Sequence, residues 1–268
     1  MARRESAVRV ARARELRRDT EWNRRKPVSP LFPPSPDMEI YEQLWEKAVA
    51  AFAAGRPETD RHLSDRANDR RRGVSLIFRP SLEVRGRVKD FLAGLAAEFP
   101  GQYFYAPEEL HVTVLTLIHA SELWRNEIRD LARFRAILKN VLRPHESFEV
   151  EFSGITAAPN AVMIQGFPCG EALANIRNQV RDAFAGAGFA QRLDRRYRTT
   201  TAHLTVMRFA SPDANWRRLL AALTANRATP FGTAGVNRLQ LVLGDWYGSV
   251  NNLRVLEEFE LKRKEIPH

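Results

Sequence analysis

The chain is 268 residues long, 44% hydrophobic and 28% charged, with a formal net charge of +10. That hydrophobic share supports a sizeable buried core and excludes a disordered chain, while the short apolar runs exclude a membrane-spanning helix, which needs roughly 18 or more consecutive apolar residues. The single cysteine, Cys169, excludes an intrachain disulfide and a cysteine-rich zinc site, and fits a reducing compartment.

The first 26 residues hold ten basic and four acidic side chains. They lack the apolar stretch of a secretory signal and carry more acids than a transit peptide, so a cytoplasmic location is expected. Residues 27–72 are close to neutral, with seven basic and eight acidic side chains, and residues 73–268 are mildly basic, with 25 and 20. The basic tail is therefore where a nucleic-acid contact is expected.

Prolines at 27, 30, 33, 34 and 36 mark an extended linker. Ile40, Leu44, Ala48 and Phe52 then recur at the spacing of one helical face, with Gly55 as the stop. Residues 56–72 are polar and without periodicity. From residue 73 the pattern alternates short β-branched or aromatic runs with amphipathic stretches, the sign of a mixed α+β domain. GVSLIFRP reads as a strand, SLEVRGRVKDFLAGLAAEFP as a helix capped by Ser81 and closed by Pro100, QYFYAP and LHVTVLTL as strands, ELWRNEIRDLARFRAILKNVLR as one helix, and SFEVEFSGI as a strand.

The second half repeats this order: AVMIQGFP strand, EALANIRNQVRDAFAGAG helix, AHLTVMRF strand, PDANWRRLLAALTAN helix, NRLQLVLGD strand. Val74 to His111 spans 37 positions and Val162 to His203 spans 41; His111 to Phe148 spans 37 and His203 to Leu239 spans 36. Such agreement predicts an internal duplication. The expected organisation is an N-terminal extension, residues 1–72, and a bilobal domain, residues 73–268, with lobes of about 73–157 and 158–268. A final strand, LRVLEEFE, is expected to pair back on LQLVLGD through the turn-rich DWYGSVNN.

Each half contains His-x-Thr-Val, at His111–Val114 and His203–Val206. In a strand, alternate side chains share a face, so each motif presents an imidazole and a hydroxyl about 7 Å apart along the strand. One such motif is ordinarily a surface or core feature. Two at equivalent points of a duplicated unit point to chemistry. A neutral imidazole takes a proton from an attacking hydroxyl, a protonated one gives a proton to the leaving oxygen, and both forms are accessible near a pKa of about 6.5. Threonine hydroxyls suit the non-bridging oxygens of a phosphoryl group, where charge accumulates in the transition state.

ELHVTVLTL and TAHLTVMRF resemble the paired His-x-Thr-x motifs of the 2H phosphoesterase superfamily, whose members include the LigT-like RNA ligases and cyclic phosphodiesterases. The resemblance covers roughly residues 73–261. It implies two pseudo-symmetric lobes of antiparallel-rich sheet, backed by helices, around a central cleft. It also implies hydrolysis of a cyclic phosphodiester, commonly a 2′,3′-cyclic phosphate on a nucleotide or RNA end, with His111 and His203 as acid and base. Thr113 and Thr205 are then the phosphate anchors, and neither metal nor other cofactor is expected. Residues 1–72 have no counterpart in the minimal family pattern.

Among neighbouring residues, the run Arg195, Arg196, Tyr197, Arg198 offers a guanidinium to a second phosphate, with Arg198 the preferred candidate. Tyr105 and Trp246 are candidates to stack on a base. His62, His119, His145 and His268 are read as non-catalytic, His119 lying past the end of the first motif strand. Walker A, GxGxxG, HExxH, GxSxG and CxxC patterns are absent from the sequence. Two alternatives stand beside the hydrolase: a 2′-5′ ligase using the same histidines, and a non-catalytic nucleotide- or RNA-binding module. A monomer without membrane contact is expected.

Overall fold

The computed structural model describes residues 36–195 and 198–264. The expected basic tail, most of the proline-rich linker, Arg196, Tyr197 and His268 lie outside the described residues.

Two antiparallel sheets form the framework. The first has the order β3-β1-β8-β9, from β1 (Arg72–Phe78), β3 (Val112–Ser121), β8 (Arg238–Gly244) and β9 (Arg254–Glu260). The second has the order β2-β6-β5-β4-β7, from β2 (Tyr103–Phe104), β4 (Phe148–Ala158), β5 (Ala161–Pro168), β6 (Leu204–Arg208) and β7 (Pro230–Val236). β7 is absent from the sequence reading because Pro230, Gly232 and Gly235 depress strand propensity. Proline is tolerated there as the first residue of an edge strand, which β7 is.

Among the described residues, six α-helices cover these sheets. They are α1 (Pro36–Ala53), α2 (Leu82–Glu98), α3 (Trp124–Glu127), α4 (Leu131–Leu142), α5 (Ala172–Gly186) and α6 (Trp216–Ala225). As expected, Ser81 caps α2, accepting from the Val84 amide at 3.3 Å. The single helix expected over 122–143 is instead α3, a 3₁₀ turn at Ile128–Asp130, and α4. The break coincides with Glu127 and Asp130, whose carboxylates pair with Arg195 at 3.2 Å and Arg192 at 2.8 Å.

The lobes do not divide the chain at residue 157. β4, from the first half, joins the sheet of the second, while β8 and β9 join the sheet of the first. Helices exchange as well: α2 packs on β7, and α5 packs on β3. The first half lends β2 and β4 and the second lends β8 and β9, so the duplicated units interlock instead of lying side by side. α1 belongs to the same compact unit as the sheets. It rests on β4 and buries Tyr41 completely.

That tyrosine reaches a position where the backbone comes unusually close. The Tyr41 hydroxyl donates to the Gly166 carbonyl and accepts from the Gly166 amide, both at 3.1 Å, and the Thr156 hydroxyl donates to the Tyr41 carbonyl at 2.9 Å. A Cβ on Gly166 would lie 1.9 Å from the Ala202 carbonyl oxygen, so only glycine allows this approach just ahead of His203.

Candidate functional site

His111 and His203 each immediately precede a strand, β3 and β6, which the sequence reading had placed them inside. β-bulges then decide what shares their face. In the β1–β3 pair, Leu76 faces Leu115 and Ile77 faces Thr113, leaving Val114 as an extra residue; Leu117 is likewise extra between Thr116 and Ile118. Each bulge reverses the in-out alternation. Thr113, Thr116 and His119 thus all stay half-buried beside fully buried neighbours. His119 lies inside β3, not past its end. In β6 the extra residue is Val206, so Thr205 and Arg208 share the half-buried pattern despite their odd spacing.

One guanidinium joins the two motif segments. Arg177, on the apolar stripe of α5 between Leu173 and Val180, is buried and donates to the carbonyls of Thr113 at 3.1 Å, Val114 at 3.0 Å, Thr201 at 2.9 Å, and Thr200. Burial lowers its pKa to about 10, with Asp37 at the start of α1 opposing that shift. It remains a cation at neutral pH.

The histidines are held by their Nδ1 atoms. His111 Nδ1 contacts the Glu109 carbonyl at 2.7 Å; a carbonyl only accepts, so Nδ1 carries the hydrogen and Nε2 keeps its lone pair when the ring is neutral. His203 Nδ1 contacts the Thr201 hydroxyl at 2.8 Å. A hydroxyl can donate or accept, so this contact holds the ring in place without fixing its tautomer. The Glu109 backbone is fixed in turn by its carboxylate, which accepts from the Tyr103 hydroxyl at 2.8 Å and the Ala106 amide at 3.1 Å.

Burial favours the neutral form of both imidazoles. Burial is the largest cause lowering the His203 pKa from 6.5 to about 4, followed by the positive charges of Arg177 and Arg208 and by His111. His111 is also lowered, first by burial, then by Arg79 and Arg208, while its contact with the Glu109 carbonyl and the charge of Asp245 oppose the shift. The effect of His111 on His203 places the two rings within electrostatic reach of each other. Arg208 stands near both. Its Nε donates to the Tyr105 hydroxyl at 2.9 Å, and its guanidinium lies 5.5 Å from the centre of the Trp246 ring.

The loop between β8 and β9 closes over His111. Asp245 organises it, accepting from the amides of Tyr247 and Ser249 at 3.0 Å, the Ser249 hydroxyl at 2.6 Å and Asn252 at 2.9 Å. Gly248 has φ of +68°, and a Cβ there would lie 2.8 Å from His111 Cε1. Glycine therefore serves both the turn and the packing against the ring.

Of the neighbouring candidates, Trp246 is half-buried beside Arg208, edge-on to His119 at 5.5 Å. Tyr105 is a correction: its ring is buried and its hydroxyl is engaged by Arg208, so it offers no stacking face to a base. Arg198 is exposed and donates to Asn178 on α5 at 3.4 Å, and Arg195 pairs with Glu127. Sequence reasoning missed Arg177, Arg208, Thr201 and Gly248. Arg177 alone left a signal, as a charge on the apolar stripe of a helix.

Two antiparallel sheets with interlocked halves, each furnishing a His-x-Thr segment to one shared site, define the class of the 2H phosphoesterases. The chain belongs to the 2′-5′ RNA ligase superfamily, whose family model matches residues 80–245. No protein of curated function matches it in sequence. Among solved structures it is similar to TT0787 of Thermus thermophilus, with a TM-score of 0.54 at 18% identity over 73% of this chain and 100% of that one. It is also similar to a conserved protein of unknown function, ATU0111 of Agrobacterium tumefaciens, with a TM-score of 0.50 at 16% identity over 78% and 97%. E. coli LigT complexed with 3′-AMP gives a TM-score of 0.49 at 16% identity over 72% and 99%. At these identities the first two likenesses establish the fold alone. No helix among the described residues is long and apolar enough to cross a membrane.

Proposed function

We propose that the protein hydrolyses a cyclic phosphodiester, a 2′,3′-cyclic phosphate on a nucleotide or RNA end, with His111 and His203 as its acid and base. The observation that carries this reading is the pairing of two Nδ1-anchored imidazoles beside two cationic side chains, Arg177 and Arg208. The asymmetry of their surroundings supports a division of roles. His203, with Arg177 near it and a pKa of about 4, is the neutral base that takes a proton from water. His111, whose surroundings include the opposing charge of Asp245, holds the proton and delivers it to the leaving ribose oxygen. A bond forms between water oxygen and phosphorus, one ester bond breaks, and the product is a phosphomonoester beside a free hydroxyl. Thr113 and Thr205 donate to the non-bridging oxygens. An arriving phosphate offsets the two guanidinium charges and so favours the single proton the cycle needs.

The name of the superfamily supports a second reading, in which a 5′-hydroxyl replaces water and the same proton transfers join two RNA ends. The test is incubation of EDTA-treated protein with 2′,3′-cyclic nucleotides and RNAs ending in a cyclic phosphate, with and without a 5′-hydroxyl acceptor, read by mass spectrometry. Hydrolysis adds one water; ligation adds the acceptor. His111→Ala and His203→Ala are each expected to lower the rate by about 100-fold or more. Full activity in both variants, or no turnover of any of these substrates, refutes the proposal.

A further inference from the structure

A cavity of about 300 Å³ opens beside the two-histidine site, between residues 58–62, the end of β6 and the β8–β9 loop. Its walls include Glu58, Asp60, Arg61, Arg71, Arg208 and Trp246. Arg208 belongs to both places: it lines the cavity, and its charge acts on both histidines. A ligand with a phosphate at the histidines therefore has room to continue past Arg208 into this space.

The outer wall is built, not draped. The Glu58 amide donates to the Pro159 carbonyl and the Asp60 amide to the Phe209 carbonyl, both at 2.8 Å, so the segment is pinned along the second sheet. The Tyr247 hydroxyl donates to Asp60 at 2.9 Å, and Arg66 donates to Ser249 at 2.7 Å while lying 4.5 Å from the Tyr103 ring centre. Arg71 is fixed on Asp69 at 2.7 Å. With Arg71 paired to Asp69, and with Asp60 occupied by Tyr247 and by the His62 amide, the exposed Arg61 is the cation of this wall that is not engaged in an ion pair among the described residues. Arg61 and Arg208 can therefore each offer a charged donor to a phosphodiester, and Trp246 adds an aromatic surface. A volume at the small end of ligand pockets suits one nucleotide-sized unit.

We infer that residues 58–71 and Arg208 form a second subsite that takes the nucleotide next to the scissile phosphate in an oligonucleotide, binding its phosphodiester by Arg61 and Arg208 and its base against Trp246. The inference rests on the phosphodiesterase reading. It makes the choice between mononucleotide and polymer a property of a segment that lies outside the matched family region, residues 80–245.

The experiment compares kcat/KM for a mononucleotide 2′,3′-cyclic phosphate and for a trinucleotide ending in one, in the full chain and in Arg61→Ala, Arg61→Lys and Arg66→Ala. Arg61→Ala is expected to lower the trinucleotide-to-mononucleotide ratio about ten-fold, the loss of one charge-assisted contact. Arg61→Lys recovers part of it, and the trinucleotide KM falls more weakly with decreasing salt in Arg61→Ala. An unchanged ratio in Arg61→Ala overturns the subsite. So does a uniform loss on both substrates in Arg66→Ala with no change in Arg61→Ala, which would make the segment a brace for the β8–β9 loop only. Binding of a non-cyclic trinucleotide 3′-phosphate, followed by Trp fluorescence, keeps the question separate from turnover. Affinity reduced about ten-fold by Arg61→Ala supports the subsite even where neither cyclic substrate turns over, and equal affinity refutes it.

Discussion

Lowering the pH should destabilise the fold through His203, and the structure sets the size of the effect. Folded His203 accepts a proton only near pH 4, because burial and the charges of Arg177 and Arg208 oppose it, whereas the unfolded chain accepts one near 6.5. Between these values the unfolded state binds more protons, so stability rises with pH through this window. The contribution is complete above pH 6.5 and is lost progressively as the pH falls through 6.5 towards 4. At about 1.36 kcal/mol per pH unit, the full loss is about 3 kcal/mol, of which about 2.5 kcal/mol has gone by pH 4.5. The assay is urea unfolding at pH 7.5 and 4.5 for the native protein and for His203→Asn, which removes the titration and keeps a polar side chain. The native protein should lose about 2.5 kcal/mol more than the variant. Inorganic phosphate should narrow the gap, since an anion at the site lets His203 keep a proton. Equal losses within about 0.5 kcal/mol in the two proteins would refute the reasoning, as would an NMR titration placing His203 near 6.5.

Three further outcomes are expected. Binding of a nucleoside monophosphate at pH 6 should take up protons, because His203, with a pKa of about 4, starts neutral; calorimetry in two buffers of different ionisation enthalpy measures this, and zero uptake contradicts it. Arg177→Met strips a donor from four carbonyls and should cost about 3–5 kcal/mol in urea unfolding, with Arg177→Lys recovering only part because an ammonium cannot span the same fork; a loss below about 1 kcal/mol would deny it the joining role. Gly248→Ala forces a side chain into a left-handed turn and against the His111 ring, so about 1–3 kcal/mol of stability should be lost together with a displaced His111 imidazole resonance, and an unmoved resonance argues against the contact.

The legible part of this molecule was its periodic part. Alternation and helical spacing marked most strands and helices, and His-x-Thr at matching points of a duplicated pattern marked the site. What stayed hidden depended on events that leave no residue-type signature. Arg208 shares a face with Thr205 only because Val206 bulges from the β5–β6 pairing, and His119 stays in line only because β3 bulges at Val114 and Leu117. The exchange of β4 and β8 between sheets is a choice among pairings that all satisfy the same hydrophobic pattern. Residues 58–71 had no periodicity to read, since their hold on the protein is through side-chain and backbone hydrogen bonds. Tyr105 could be misread as a stacking surface because an aromatic beside a motif looks alike whether it faces a ligand or holds an arginine.

The exchanged strands also set a timetable for biosynthesis. β1 sits between β3 and β8, yet β8 begins 160 residues after β1 ends. At a translation rate of about 5–20 residues per second, the ribosome needs roughly 8–30 s to supply the missing neighbour. Throughout that interval nascent β1, joined by β3 once residue 121 is made, presents an open, apolar edge with no native partner yet made on its β8 side, the kind of edge that recruits foreign strands. The first sheet can be completed only after β8 and β9, so this scaffold is finished in one late step, and the first half must be kept out of trouble until these C-terminal strands have emerged.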